Sequence, residues 1–261
     1  MKIPAKPPLI SVVLTTHNRP ALLKRALESL LKQDFQDFEI ILCADEGQLE
    51  TRQFAAKYLR AYDTFICSPH LSGPSESRNI GIFLSRGNWI CFLDDDDTFD
   101  EDHFSNFYLA NKNNSKIIYT NYKKITEYRD GDNVDFISKE DIKVSNFSSE
   151  DLCVSNFIPI NTVFIPLNIA KSHEFDLNLE THEDWDYFIR LKFFGIEFEL
   201  CENVSGANIH LSNEESRNKN NSKSLDHLSI YRRWPAQNEV IKKARATVLA
   251  QWGLNISENF L

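Results

Sequence analysis

The chain has 261 residues, which makes one large domain or two fused halves at roughly 100–200 residues per domain. Its 29 Lys+Arg against 38 Asp+Glu leave a net charge of −9, and so acidic a balance argues against nucleic acid as the main ligand. An apolar fraction of 42% with 19 Phe supplies a sizeable core, 26% charged residues are ordinary for a globular chain, and only 8 Gly exclude a glycine-repeat architecture.

The first hundred residues alternate strand and helix signals. Leu9-Ile10-Ser11-Val12-Val13-Leu14 is a β-branched apolar run that ends at Thr15-Thr16-His17-Asn18. Pro20 then suits the first turn of a helix, where its missing N–H costs nothing. Leu22, Leu23, Ala26, Leu27, Leu30 and Leu31 form one helical face. Residues 38–43 read as a second strand, 49–60 as a helix, 64–67 as a third strand, 75–85 as a helix stopped by Gly87, and 89–93 as a fourth strand. Continuous apolar strands separated by helices imply a parallel sheet covered on both faces. Ligands of such sheets bind beyond the carboxyl ends of the strands, which selects the loops at 15–19, 44–47, 68–72 and 94–97.

The later pattern is less regular. Residues 117–125 and 162–165 read as strands, 126–156 resist placement, and 183–194 read as a helix closed by Gly195. Strand-like stretches follow at 196–201 and 207–211, then a polar loop at 212–224. A last helix places Val240, Ile241, Ala244, Val248, Leu249 and Trp252 on one face. No apolar run approaches the ~20 residues of a membrane span, and Met1-Lys2-Ile3-Pro4 lacks a signal-peptide core. Five cysteines without a Cys-x-x-Cys pair suggest a reducing, cytoplasmic setting.

The strongest chemical feature is Asp94-Asp95-Asp96-Asp97, directly after an apolar strand. Four neighbouring carboxylates in a crevice repel one another, so a positive group is expected among them. Carboxylate oxygens are hard ligands, which points to Mg²⁺ or Mn²⁺; the alternative is a solvated acidic turn capping a helix.

Residues 10–19 (Ile-Ser-Val-Val-Leu-Thr-Thr-His-Asn-Arg), Phe38-Glu39-Ile40-Ile41, Ser77-Arg78-Asn79-Ile80-Gly81 and Phe92-Leu93 with the acidic run resemble, in order, the signatures of family-2 glycosyltransferases. The resemblance is close over residues 9–100 and looser over 160–217. It implies the GT-A fold, a Rossmann-like, mostly parallel α/β sheet with helices on both faces, and inverting, metal-dependent transfer. Residues 1–110 would then be the nucleotide-sugar half, 111–224 the acceptor and base half, and 225–261 a helical extension.

Carried over by position, Thr15, Asn18 and Arg19 would surround the nucleotide, and Asp45 would contact the base. The sequence there departs from the family's Asp-Asp-Gly-Ser, reading Ala44-Asp45-Glu46-Gly47. Arg78 would lie near the base or diphosphate, or else pair with a neighbouring acid. Asp96 would ligate Mn²⁺ or Mg²⁺, with Asp94 or Asp95 toward the ribose and sugar. Thr181-His182-Glu183-Asp184-Trp185 resembles the family's Glu-Asp-Trp element, which makes Asp184 the base; the alternative is that these acids only complement a helix dipole. His210 would complete the metal site or simply pack, and Arg217 would reach the diphosphate from an ordering loop. The other histidines, 17, 70, 103, 173, 182 and 227, show no ligand spacing.

The family-level donor is a UDP-sugar and the acceptor a glycan or lipid-linked hydroxyl in surface polysaccharide or lipopolysaccharide synthesis. Arg232, Arg233, Lys242, Lys243 and Arg245 suggest peripheral contact with an anionic membrane, against a solvated helix face or a homodimer through the C-terminal helices. A nucleotidyltransferase would carry a glycine-rich loop after the first strand, and Thr15-Thr16-His17-Asn18-Arg19 has no glycine. A binding protein without turnover is the remaining alternative.

Overall fold

The computed structural model describes residues 6–44, 49–67, 73–111, 115–131, 133–144, 150–179, 181–212, 223–251 and 253–257. A seven-stranded sheet runs through the middle in the order β10-β6-β9-β4-β1-β2-β3. The predicted early strands are β1 (Ile10–Thr16), β2 (Phe38–Ala44), β3 (Thr64–Cys67) and β4 (Trp89–Asp94). All four are parallel, with β1 between β2 and β4. Every residue of β1 and β2 is buried, as the unbroken apolar runs require of strands covered on both faces.

The two faces are divided by the pleat. Val12 and Leu14 pack with Leu23, Ala26, Leu27 and Leu30 of α1 (Pro20–Leu31), while Val13 packs with Ile82 of α3 (Pro74–Leu84). Gly81 lets α3 approach so closely that a Cβ there would run into Val13. The helix α2 (Leu49–Tyr58) lies between β2 and β3 in sequence.

The sheet departs from all-parallel at β9 (Val163–Pro166), which is antiparallel to both β4 and β6 (Ile117–Thr120). At the edge, β10 (Phe198–Cys201) is again parallel to β6. The single strand expected over 117–125 is two strands. At Asn121 the chain leaves β6 for a second, four-stranded sheet ordered β5-β11-β7-β8. Its strands are β5 (Thr98–Phe99), β7 (Tyr122–Asp130), β8 (Asn133–Ile142) and β11 (Ala207–Ser212). Asn121 anchors the change of sheet, donating to the Glu202 carbonyl at 2.8 Å and accepting from the Val144 N–H at 2.8 Å. Much of the stretch that resisted placement is thus the β7–β8 hairpin.

Two short helices, α4 (His103–Ala110) and α5 (Leu167–Ser172), complete the main body. His103 is fully buried among Phe99, Phe104 and Phe164, and burial pushes its pKa down to about 3, so it serves as an aromatic filler. A separate cluster joins Trp185 and Ile189 of α6 (Glu183–Phe193) to Ile230 and Tyr231 of α7 (Lys223–Arg233) and Leu249 of α8 (Glu239–Gln251).

The inward face of α8 is Ile241, Arg245 and Leu249, while Val240 is 73% exposed. That rotates the face expected from the apolar residues, and it takes Arg245 out of the basic patch. Arg245 is wholly buried, Arg233 pairs with Asp176 and Asp186, and Lys242 pairs with Glu239. Among the described residues no helix is long and apolar enough to cross a membrane.

Candidate active site

The carboxyl ends of β1 and β4 lie side by side, with Thr15 in register with Asp94. Each of the next residues hydrogen-bonds across. Thr15 Oγ1 donates to Asp94 at 2.9 Å, Thr16 Oγ1 donates to Asp95 at 2.6 Å, and the His17 N–H donates to Asp95 at 3.3 Å. Asn18 follows on the exposed loop with φ 48°, one of only two non-glycine residues in the left-handed region among those described. That turn brings Arg19 back over the acidic run, where its guanidinium holds Asp95 and reaches Asp96 at 2.7 Å.

The four aspartates alternate. Asp94 and Asp96 keep 29% and 23% side-chain exposure, whereas Asp95 has none and Asp97 is buried. Of the two residues expected to face ribose and sugar, Asp94 therefore borders the crevice and Asp95 pins the β1–α1 loop. Burial raises the Asp95 pKa to about 6 against the opposing pull of Arg19. Burial, reinforced by the Asp96 charge, also holds Asp97 well above the usual range; it accepts the His210 N–H at 2.7 Å and the Asn161 amide.

Arginines surround this run, beside which the sequence pointed to a divalent ion. Besides Arg19, Arg25 Nη2 donates to the Asp96 carbonyl at 2.5 Å, and Arg129 lies 3.9 Å from its carboxylate. Both are tied to Glu127, a buried carboxylate on β7 that Arg25 reaches at 2.9 Å and Arg129 Nε at 2.7 Å. The same Glu127 is 2.8 Å from His210 Nδ1, and His210 Nε2 is 3.0 Å from the Thr98 hydroxyl. Both ring nitrogens of His210 are engaged. Arg25, Glu127 and Arg129 carry no spacing signal in the sequence; only the excess charge of the aspartates announced that cations must lie nearby.

The donor chemistry of Asp94 and Asp96 fits an oxygen-preferring divalent ion, since Mg²⁺ is commonly held by one or two carboxylates and completed by water and phosphates. Among the described residues no three His, Cys, Asp or Glu form a ready-made metal cluster. His210 joins such a set by exchanging one of its two contacts, with Thr98 or with Glu127.

Arg78 ties this run to the second carboxylate group. Set in α3 with 4% side-chain exposure, it donates to Asp94 at 3.1 Å and to Glu183 at 2.8 Å. Burial opposes its charge, but Asp94 and Glu183 more than compensate and push its pKa up. It is neither a surface residue nor paired with its neighbour Glu76. Burial likewise opposes ionisation of Asp94, yet Arg78 and the Thr15 hydroxyl hold that carboxyl below the usual range.

Glu183 and Asp184 open α6, and His182 before them is the other left-handed residue, at φ 57°. Asp184 Oδ1 accepts the Trp185 N–H at 2.7 Å and Oδ2 accepts the Asn156 amide at 3.0 Å. Burial and the adjacent Glu183 raise its pKa to about 6, with Arg78 pulling the other way. Asp186 turns away from the crevice and is buried against Arg190, Arg233 and Trp234. Asn156 and Asn161 were not singled out by sequence, because an asparagine in a polar stretch has no distinguishing pattern. Asp45 and Arg217 lie outside the described residues.

The sequence profile of glycosyl transferase family 2 matches residues 11–159. A Campylobacter jejuni protein named GalNAc(5)-diNAcBac-PP-undecaprenol beta-1,3-glucosyltransferase is 34% identical over 93 residues, which cover 34% of this chain and 30% of that protein. The crystal structure of S. aureus TarS 1-349 in complex with UDP-GlcNAc superimposes with a TM-score of 0.65 at 16% identity, over 96% of this chain and 74% of TarS 1-349. A Pyrobaculum calidifontis mannosyltransferase in complex with GDP-Man and Mn2+ gives 0.66 at 10% identity, again over 96% and 74%. The fold is GT-A, and the match across most of the first two thirds of the sequence makes this chain a member of glycosyl transferase family 2.

Proposed function

We propose that the protein moves a sugar from a nucleoside-diphosphate sugar, UDP-linked by preference, to a hydroxyl of a glycan or lipid-linked acceptor, with inversion at the anomeric carbon. One observation carries this reading. Arg78 spans the crevice between a carboxylate kept charged, Asp94, and a helix start whose second acid, Asp184, has a raised proton affinity.

The first group is suited to a donor and its counterion, the second to a proton. Thr15, Asn18 and Arg19 border the nucleotide in this reading, with Asp45 on the base and Arg217 on the diphosphate. Asp96, with Asp94 beside it and His210 as a further ligand, would hold Mn²⁺ or Mg²⁺. When bound, that ion offsets the negative charge building on the departing diphosphate. Residues 1–110 then serve the donor and 111–224 the acceptor.

Asp184 accepts the proton of the attacking hydroxyl. The hydroxyl oxygen bonds to the anomeric carbon from the face opposite the diphosphate, and the old C–O bond breaks with its electron pair leaving on the diphosphate. One displacement inverts the configuration. A lipid-linked acceptor is supported by the name of the Campylobacter relative, which the match covers only in part.

The test is thermal stabilisation by UDP, GDP, CDP and ADP, each with and without Mn²⁺. A metal-dependent rise with one nucleotide, abolished in Asp96→Ala, is the expected result. No rise with any nucleotide would overturn the reading.

A further inference from the structure

Asn156 reaches Asp184 from a segment that has little regular structure beyond one 3₁₀ turn at Asp151–Cys153. Three consecutive carbonyls in that segment are gripped by three different helices. The Leu152 carbonyl accepts the Trp185 indole N–H of α6 at 2.6 Å. The Cys153 carbonyl accepts Arg245 Nε of α8 at 2.8 Å, and the Val154 carbonyl accepts the Tyr231 hydroxyl of α7 at 2.6 Å.

All three side chains are buried, and the Arg245 guanidinium also lies 4.3 Å over the Tyr231 ring. A wholly buried arginine is costly to desolvate, and its described contacts are to carbonyls and a ring. Two residues beyond this grip, the side-chain Oδ1 of Asn156 accepts the Ile158 N–H at 3.3 Å, which turns its Nδ2 toward Asp184.

We propose that α7 and α8 belong to the catalytic apparatus: Tyr231 and Arg245 clamp the 152–154 backbone so that Asn156 acts as the positioning residue of Asp184. The proposal rests on the reading of Asp184 as the base. It assigns a task to helices that lie beyond the part of the chain matched by the family profile. Asn156 donates to the charged carboxylate and therefore favours it, holding one oxygen while Trp185 holds the other. Among the described residues, the charged and titratable groups around Asp184 are Glu183 and His182 at its own helix start, Arg78 from α3 and, through its ring contact with His182 at 5.1 Å, His227 of α7. His227 also lies 6.1 Å from the Tyr231 ring, which Tyr231→Phe keeps in place.

The test is the titration of the aspartate side-chain carboxyls followed by ¹³C NMR, with the Asp184 signal assigned by its loss in Asp184→Asn. Asn156→Ala should move the Asp184 midpoint up by roughly one unit. Tyr231→Phe, which removes one hydroxyl and leaves the packing, should move it the same way by less. Asp95, which titrates in the same region but on the other side of the crevice, should stay in place in both variants.

An Asp184 midpoint unmoved in Asn156→Ala overturns the proposal. So does a Tyr231→Phe protein with a lower Tm and an unmoved midpoint, since the helices would then only support the fold. Failure of the base reading looks different: Asp184→Asn would retain full sugar transfer, whatever the titrations show.

Discussion

Asp94 and Asp184 face each other across one guanidinium and are driven in opposite directions. Arg78 and Thr15 overcome burial at Asp94 and keep it charged, whereas at Asp184 burial and the neighbouring Glu183 outweigh Arg78. The difference lies in direct contact. Arg78 donates to Asp94 and Glu183, whereas Asp184 receives its field without a direct bond, together with the Trp185 N–H and the Asn156 amide. Identical side chains in one crevice are thereby given opposite proton affinities, a division of the kind general acid–base chemistry uses.

The largest effect should come from erasing one side of this comparison. Asp184→Asn is expected to lower the transfer rate by roughly 10²–10⁴-fold while nucleotide binding persists. The same variant has an opposite signature in stability. A carboxyl whose pKa rises to about 6 on folding adds stability below its unfolded value near 3.8, and that contribution is lost as pH climbs through 6. Asp184→Asn should therefore be more stable than the parent at pH 7, by up to about 3 kcal/mol for a shift of that size, with the gain shrinking to roughly half a kcal/mol near pH 4. Urea melts across pH 4–7 check the sign, and a variant less stable at pH 7 would contradict it.

Removing the shared guanidinium should come next. Arg78→Met leaves Asp94 and Glu183 without their partner, an arrangement that typically costs about 3–5 kcal/mol, or a fall in Tm of roughly 10 °C. Both Asp94 and Asp184 should then titrate higher, which collapses the contrast between them. If Asp94 stays depressed in Arg78→Met, Thr15 and Arg19 hold it without Arg78.

The same contrast marks what sequence can reveal. The strands β1, β2 and β4 were legible because strands buried on both faces must be continuously apolar, and α1 because Pro20 and the leucine spacing agree. The strand-end aspartates and the Glu183-Asp184 pair were legible as types in order. Their partners were not, since Arg25, Glu127 and Asn156 meet them only through long-range folding. β8 is almost wholly exposed, so no alternation betrays it; the remaining signal was Gly131, which takes φ 57° in the tight turn between the paired Asp130 and Asn133. Arg245 misled the reading of α8 because a buried charge occupies the middle of the Ile241–Leu249 face, and apolar periodicity cannot register an arginine that points inward.

The smallest perturbation sharpens the comparison most. Thr15→Val deletes one hydroxyl and keeps the shape of the β1 end, so it removes a single 2.9 Å bond to Asp94 and nothing at Asp184. The expected cost is about 1 kcal/mol in stability. Asp94 should titrate slightly higher, because burial then opposes its charge with one fewer donor to offset it. Asp184 should keep its midpoint, since the Asp94 charge reaches it only through Arg78, whose bond to Glu183 is untouched. Carboxyl titration by ¹³C NMR separates the alternatives: a shift at Asp94 alone means the two acids are tuned independently around a rigid guanidinium. A matching shift at Asp184 would mean that Arg78 moves between them, and that the carboxylates form one titrating unit.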